Sequence, residues 1–319
     1  MFKKKYAYKH SILVAMALGR IFTKRLKGKG FDVICAPVAS SLIAFLDTKL
    51  PIIYLTDATF KCMSDYYPDF SDLWELSSWE GNKIEELAIK KARLVLYNSY
   101  WAARSAIKDY GTDPSKVHIV NFGGNFQEIP LKEAVLSKKK TETCRLLFLE
   151  TDWARKGGDL AVETFLALRK MGFRAELTVC GFAPPKNLSY DGIKTAPFLD
   201  KNDEQQRKRL IELFSGADIL LFPTRADCAS VVIAEANAFG LPAIATNTGG
   251  IPSVVREGEN GFMLPLSATG KDYAKLIHDL YQDDERYYKL VKTSREVYER
   301  RLNWDTWGQA VKEIMVKHL

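Results

Sequence analysis

Short runs of apolar residues alternate along the chain with longer segments in which apolar residues recur every three or four positions. Such short runs are typical of buried strands, and the longer segments are typical of amphipathic helices. In the first part of the chain the pattern predicts strands at residues 31–37, 51–56, 94–98 and 117–121. It predicts helices at residues 9–27, 40–46, 79–91 and 100–110. Strands joined by helices form parallel sheets that the helices cover on both faces.

The same alternation restarts in the second part of the chain. Strands are predicted at residues 145–149, 175–180, 217–222 and 242–246. Helices are predicted at residues 158–170, 203–214 and 230–239, and two or more within 273–300. Residues 127–143 are polar, rich in Lys and without periodicity, which indicates a linker. The sequence therefore predicts an α/β protein with two Rossmann-like parallel-sheet domains facing a cleft, the usual ligand site of such folds.

Composition excludes several other classes of protein. Apolar residues make up 47% of the 319 residues and charged residues 27%, which excludes a largely disordered chain. The five cysteines form no C-x-x-C pair, which argues against a disulfide framework and a structural zinc site. Cys35 and Cys180 lie in apolar runs and are predicted to be buried. No run reaches the roughly 18–20 apolar residues of a membrane span, so we expect a cytoplasmic protein.

Positive charge is concentrated at the amino-terminal end. The formal net charge is +7, and up to Gly30 the chain has no acid but nine cations, namely Lys3, Lys4, Lys5, Lys9, Arg20, Lys24, Arg25, Lys27 and Lys29. Apolar residues within 12–22 make this stretch resemble an amphipathic surface helix that contacts anionic membranes. The alternative is that its apolar side packs on a sheet and its cations are solvated. Nucleic acid is not expected as a partner, because no interleaved aromatics or known module are present.

The most informative stretch covers residues 220–243. A buried strand stops at Pro223, a loop carries Asp227, and a helix opens near Ser230 with Glu235 in its second turn. A helix start favours phosphate, because its free N–H groups and dipole attract negative charge. Glu235 lies on an apolar face, where a carboxylate suits hydrogen bonds from ligand hydroxyls. The alternative is that Glu235 only supports its own helix.

Two further segments follow predicted strands. Arg155 and Lys156 precede a Gly pair that opens a helix, where cations are disfavoured unless an anion lies between them and the helix. The alternative is a solvated basic turn. Gly249 and Gly250 follow another strand, where they allow close backbone approach to a ligand or simply form a tight turn.

Taken together, these segments resemble the retaining nucleotide-sugar glycosyltransferases of family 4, which have the GT-B fold. The resemblance covers residues 144–319 and is weaker before them, at residues 37–60 and 98–125. Its matching segments are DWARKGG at 152–158, FLDKN at 198–202, Ala217 with Asp218, Asp227-x7-Glu235, GLPA at 240–243, TGGIP at 248–252, GENGF at 258–262 and LNW at 302–304.

The resemblance implies a donor site. Lys156, assisted by Arg155, would bind the donor diphosphate, Glu235 would bind the ribose, and Asp227 would contact the transferred sugar. Backbone amides of Ala229, Ser230 and Val231 would face the distal phosphate or sugar, Gly181 would line the nucleotide pocket, and Phe198 would lie near the base. Transfer would retain anomeric configuration, without cofactor or metal, to a carbohydrate or lipid-linked acceptor. In agreement, the chain has no D-x-D metal motif.

By the same resemblance, residues 1–126 form an acceptor-side domain, 144–300 the donor domain, and 301–319 a helix that packs back on the first domain. Asp57, after a strand, takes roughly the place of an active-site His or Asp, or else caps the next turn.

The chain departs from the family pattern in two ways. Asp227 stands where the family usually has Glu. Nothing before residue 31 corresponds to the family's first strand and Gly-rich loop. Either the chain is truncated, its start is misassigned, or the first domain is reduced. A nucleotide-sugar-binding protein with lost or weak transferase activity is therefore an alternative function. A dinucleotide-dependent oxidoreductase is disfavoured, because no G-x-G-x-x-G follows a strand.

Overall fold

The protein consists of two compact units. A computed structural model describes residues 4–181 and 188–319, so Lys3 of the basic segment lies outside the described residues. The first unit comprises Met1–Asn121 with Gln309–Leu319, and the second comprises Phe122–Gly308. The division falls after Asn121 instead of residue 126.

The first unit is built on four parallel strands. They follow one another in the order β1 (Ile34–Pro37), β2 (Ile52–Thr56), β3 (Leu94–Tyr97) and β4 (Val117–Ile119). The helices that lie between or before these strands are α1 (Ile12–Leu26), α2 (Ser40–Ile43), α3 (Phe60–Met63) and α4 (Glu75–Lys91), and α5 (Tyr100–Tyr110) joins β3 to β4. The prediction that Cys35 is buried is wrong. It lies on the edge strand β1, where one face of the strand stays open to solvent.

The second unit has a six-stranded parallel sheet. Its strands are β5 (Cys144–Glu150), β6 (Ala175–Gly181), β7 (Ile193–Pro197), β8 (Ile219–Phe222), β9 (Ala243–Thr246) and β10 (Gly261–Leu264). The spatial order is β10-β9-β8-β5-β6-β7, so the chain runs to one side of β5 first and then crosses to the other. The topological switch point lies between the neighbouring strands β5 and β8, and open α/β sheets bind ligands at this point.

Helices cover both faces of this sheet. They are α6 (Lys132–Ser137), α7 (Trp153–Lys156), α8 (Gly158–Lys170), α9 (Glu204–Gly216), α10 (Val231–Ala238), α11 (Ile251–Val254), α12 (Gly270–Gln282) and α13 (Asp284–Arg301). Along β5, Leu147 packs into the core on one face, and Leu146 and Phe148 pack into the core on the other. Burial on both faces explains the continuous apolar run.

One segment differs from the sequence prediction. The stretch at residues 127–143 belongs to the second unit. There Val135 of α6 is buried and Lys132 pairs with Glu299 of α13 at 2.9 Å. The last helix, α14 (Trp304–His318), contributes Val311, Ile314 and Met315 to a cluster with Ile53, Leu94 and Leu96 of the first unit. Within the described residues, no helix is long and apolar enough to cross a bilayer.

The first unit buries a carboxyl group between α4 and β2. Glu85 is 2% exposed, and the Tyr54 hydroxyl lies 3.2 Å from each of its carboxyl oxygens. Burial raises the pKa of Glu85 to about 8, although hydrogen bonds from Tyr54 and Ser40 oppose the rise. The folded state therefore holds a proton that the unfolded chain releases near its ordinary pKa of 4.5.

Because Glu85 holds this proton only in the folded state, we expect the free energy of unfolding to depend on pH. The contribution of Glu85 is fully present below about pH 4.5 and is lost as pH rises towards 8. We expect Glu85→Gln to unfold with nearly the wild-type free energy at pH 5 and to be more stable than wild type by a few kcal/mol at pH 8. Urea unfolding of both proteins across this range is the measurement. Parallel pH profiles would show that Glu85 does not titrate in this window.

Candidate functional site

Lys156 and Asp227 meet at the switch point of the second sheet. Lys156 ends α7, which follows β5, and Asp227 lies in the loop that follows β8. Because β5 and β8 are neighbours, both loops lie at the same edge of the sheet. The Lys156 Nζ donates to Asp227 Oδ2 at 2.5 Å. The fold thus brings together two residues that are 71 positions apart in the chain.

The Asp227 carboxylate organises the turn that precedes α10. Its Oδ1 accepts hydrogen bonds from the Ser230 amide at 2.6 Å, the Ser230 hydroxyl at 2.9 Å and the Ala229 amide at 3.2 Å. Ser230 is buried and left-handed, with φ 49° and ψ 39°. A serine rarely adopts this backbone, and it persists only where the surroundings hold it, often at functional sites.

Asp227 is ionised at neutral pH. Burial alone would raise the pKa of its carboxyl, but the Lys156 charge and hydrogen bonds from Lys156 and Ser230 outweigh burial and bring the pKa below its ordinary value. Lys156 in turn lies over the Phe222 ring at 4.8 Å. A buried ion pair held in this way offers both a cation for phosphate and a carboxylate for hydroxyl groups.

The turn from α7 to α8 positions Lys156. Gly157 has φ 78°, and a Cβ there would lie 2.0 Å from the Pro223 carbonyl oxygen, so only glycine fits against the strand β8 exit. The Asp152 side chain caps α7 by accepting from the Arg155 amide. The Arg155 guanidinium donates to the Ala226 carbonyl at 3.0 Å and contacts Asp152 at 3.3 Å. Arg155 therefore fastens α7 to the Asp227 loop.

A pocket of about 190 Å³ opens beside Lys156. Of the predicted site residues it contains Lys156, Gly181, Phe198 and Glu235. Apolar side chains, among them Leu149, Leu210, Phe222 and Val232, form much of the remaining wall. A pocket with an apolar wall and a few convergent polar groups is typical of a small-molecule site.

Glu235 is buried in this pocket and bonded on one oxygen. Its Oε1 accepts from the Asn125 amide at 3.1 Å and from the Lys201 ammonium. Lys201 also lies over the Phe126 ring at 4.9 Å. Sequence reasoning gave no role to Lys201 or Asn125. Lys201 follows β7, and that strand has the polar sequence IKTAP, which the apolar pattern did not reveal.

The other predicted residues have different surroundings. Ala229, Ser230 and Val231 form the Asp227 loop and the start of α10, and Gly250 donates its amide to the Asp227 carbonyl at 3.0 Å. Gly249, with φ 53°, forms the turn after β9. Asp57 lies in the first unit, directly after β2, in a different pocket. The alternative capping role there falls to Thr59, whose side chain caps α3.

No cluster of three or more His, Cys, Asp or Glu side chains suited to a metal ion occurs in residues 4–181 and 188–319. The charged groups of the pocket are Lys156, Lys201 and Glu235, with Asp227 bonded to the first of them. Chemically, this arrangement suits a ligand that carries both anionic groups and hydroxyls.

Comparison with known proteins identifies a family and several relatives. Residues 136–297, about half of the chain, match the family model for "Glycosyl transferases group 1". A D-inositol 3-phosphate glycosyltransferase of Corynebacterium glutamicum (strain R) is 24% identical over 276 residues, which cover 80% of this chain and 64% of that protein. Spore coat protein SA of Bacillus subtilis (strain 168) is 36% identical over 84 residues, 26% of this chain and 22% of that protein. The chain thus spans less than two thirds of the length of each of these relatives.

Solved structures share the fold. Sucrose-phosphate synthase from Thermosynechococcus elongatus superposes with a TM-score of 0.70 at 17% identity, over 94% of this chain and 77% of that chain. Anabaena HepE in complex with UDP-glucose gives 0.68 at 16% identity, over 94% and 82%. These likenesses confirm the predicted α/β fold with two parallel-sheet domains of the GT-B type.

Proposed function

The chain belongs to the group 1 glycosyl transferases, and from this premise we propose that it transfers a sugar from a nucleoside diphosphate donor to a hydroxyl of a carbohydrate or lipid-linked acceptor. The observation that carries the proposal is the Lys156–Asp227 ion pair at the switch point, beside a pocket that contains Glu235. The bond from the anomeric carbon to the diphosphate breaks, and a bond to the acceptor oxygen forms as the hydroxyl loses its proton.

Each donor group has a matching partner in the second unit. The Lys156 ammonium would receive the diphosphate and stabilise the charge that develops as it leaves. The amides of residues 229–231 would assist, those of Ala229 and Ser230 in exchange for part of their bonds to Asp227. Arg155 would act through its hold on the Asp227 loop. Glu235 would accept ribose hydroxyls in exchange for part of its bond to Lys201. Gly181 and Phe198 line the same pocket and leave room for the base. The structural relative that holds UDP-glucose supports a donor of this class.

Asp227 fits a role toward the transferred sugar. Its lowered pKa keeps it an acceptor of hydrogen bonds at neutral pH, so it suits sugar hydroxyls and not proton donation. We propose retention of configuration, by the family 4 resemblance, and phosphate charge met by Lys156 and backbone amides without metal or cofactor. Asp57 would contact the acceptor in the first unit, which we propose is the acceptor domain.

A nucleotide panel tests this function. UDP-, GDP- and ADP-sugars are each added in EDTA, and thermal unfolding is followed. We expect one donor to raise Tm by several degrees, since a ligand at about 100 times its Kd stabilises by about 2.7 kcal/mol. Glu235→Ala should remove this shift, whereas Glu212→Ala, which removes an exposed carboxylate of α9, should retain it. A full shift in Glu235→Ala would refute the assigned site.

Activity in the same setting separates two functions. A transferase releases nucleoside diphosphate faster when acceptor is supplied, whereas a protein that only binds the donor does not. Turnover that is lost in EDTA and restored by magnesium or manganese would contradict the metal-independent part of the proposal.

The amino-terminal helix supports a proposed contact with anionic membranes. On α1 the buried residues are Ala15 and Gly19, whereas Leu13 and Ile21 are exposed beside Arg20 and Lys24. Exposed apolar side chains among cations are typical of surface-binding helices.

We expect the protein to sediment with phosphatidylglycerol vesicles at low salt and to be released at high salt, because each cation near an anionic surface contributes about 1 kcal/mol. Arg20→Ala with Lys24→Ala should weaken this, while Lys271→Ala with Lys275→Ala, on α12, should not. Equal sedimentation with neutral vesicles would contradict the electrostatic contact.

A further inference from the structure

A second pocket, in the first unit, has a buried polar floor. Its volume is about 430 Å³, and it opens at the carboxyl end of β2. Tyr54, Glu85 and Ser40 lie at its floor and are at most 7% exposed. Leu18 of α1 and Leu42 of α2 provide apolar wall. Asp57 and Lys9 line the same pocket and are more exposed.

The carboxyl and hydroxyl groups of the floor can form further hydrogen bonds with a ligand. In the described part of the chain no cation forms an ion pair with Glu85. Its buried carboxyl is hydrogen-bonded to the Tyr54 and Ser40 hydroxyls. A buried carboxyl without a cation is costly as an anion and is therefore held neutral, with one donor and one acceptor. Perturbed carboxyls in a pocket are candidates for a functional site.

His10 provides a second, independent indication. It lines the same pocket, and its Nδ1 is inaccessible to solvent and has no hydrogen-bond partner. The ring is fixed by edge contacts with Phe60 at 5.1 Å and Phe70 at 5.6 Å. Buried polar atoms are almost always satisfied, so this nitrogen is a hydrogen-bonding group that the described residues of the fold do not use.

We propose that this pocket binds the ring of an uncharged, hydroxyl-bearing acceptor, such as a hexose unit, on the Tyr54–Glu85 floor; this rests on the proposed function. A sugar hydroxyl both donates and accepts, which matches the neutral carboxyl and the tyrosine hydroxyl together. The C–H faces of a sugar ring match the apolar walls at Leu18 and Leu42. The charges of Asp57 and Lys9 oppose each other at the pocket wall, and the floor itself offers no cation for a phosphate ester, so we expect a ring without phosphate to bind better.

Saturation-transfer NMR on the full chain tests the proposal. The probes are methyl hexosides and the corresponding hexose phosphates, at pH 7 and millimolar concentration. We expect transfer to at least one methyl hexoside and weaker transfer to its phosphate. Glu85→Ala and Tyr54→Phe should weaken binding about five-fold or more, the effect of one lost hydrogen bond, whereas Glu85→Gln should bind like wild type because the amide keeps a donor and an acceptor.

The remaining variants separate binding from folding. Leu18→Trp fills the pocket from α1 without altering the floor and should abolish the signal. Urea unfolding of each variant, followed by far-UV circular dichroism, shows that the first unit is folded. If no methyl hexoside binds, or if Leu18→Trp and Tyr54→Phe bind like wild type, the proposal is wrong. Failure of the nucleotide panel together with methyl hexoside binding would refute the proposed function and leave the pocket as a sugar-binding site.

Discussion

Replacing Lys156 by alanine is expected to lower kcat/KM by about 10²–10³-fold, the usual loss when one charged donor to a developing anion is removed. The Lys156 ammonium lies 2.5 Å from Asp227 Oδ2 and lines the pocket that contains Glu235. Its side chain is only 14% exposed, so in the alanine variant water cannot fully replace the interaction of the ammonium with the diphosphate. Steady-state kinetics with the donor that the nucleotide panel identifies is the measurement.

The control for this variant is Lys208→Ala. Lys208 is an exposed cation of α9 in the same unit, paired with Glu204 at 2.6 Å. It should leave kcat/KM within about two-fold of wild type, because exposed pairs contribute little. Wild-type turnover in Lys156→Ala would show that the diphosphate lies elsewhere.

The second large effect concerns stability. Asp218→Ala is expected to lower the free energy of unfolding by about 3–5 kcal/mol, the cost of breaking a buried ion pair. Asp218 is 0% exposed and begins β8, where its Oδ2 accepts from the Arg145 amide and Nε, both at 2.9 Å. The Arg145 Nη2 donates to Oδ1 at 2.7 Å, and Lys138 lies 3.6 Å from that oxygen. Alanine leaves the Arg145 amide and guanidinium without this acceptor.

Urea unfolding measures this loss, and an exposed ion pair of the same sheet provides the control. Glu176 and Lys194 pair across β6 and β7 at 2.7 Å, with Lys194 exposed and Glu176 partly exposed, so Glu176→Ala should cost less than about 1 kcal/mol. Equal effects of the two variants would contradict the argument from burial. Asp218 lies at the amino end of its strand, so nucleotide affinity of the folded variant should be unchanged.

The sequence predicted the strands and helices whose apolar residues are buried between the sheets and the helices that cover them. All eight predicted strands exist. A strand such as β5 or β8 is buried on both faces, so its residues form a continuous apolar run that is visible in the sequence. β7 and β10 were missed. β7 lies at the edge of the sheet with polar residues such as Lys194 exposed, so its apolar signal is weak. The burial of Cys35 was wrongly predicted for a related reason, because an apolar run can also form an edge strand with one exposed face.

The candidate site could be predicted only in part. Lys156, Asp227 and Glu235 follow strands or open helices, and these positions are visible in sequence. That Asp227 holds Ser230 in a left-handed turn depends on side-chain geometry, which no spacing encodes. The Lys201–Glu235 pair depends on where a polar edge strand ends. Glu85 was not identified, because an acid in a helix gives no sign in sequence that it will be buried.

The strand order of the second unit also has a consequence for how the protein folds. β5 pairs with β6 after only α7 and α8, but it pairs with β8 across a separation of 73 residues, through only two residue positions of each strand. Closing long loops carries a large entropic cost and slows folding. We therefore expect β5, β6 and β7 to associate early, and Lys156 to meet Asp227 only in a late step. A nascent chain acquires its complete nucleotide pocket only after β8 and α10 have been synthesised.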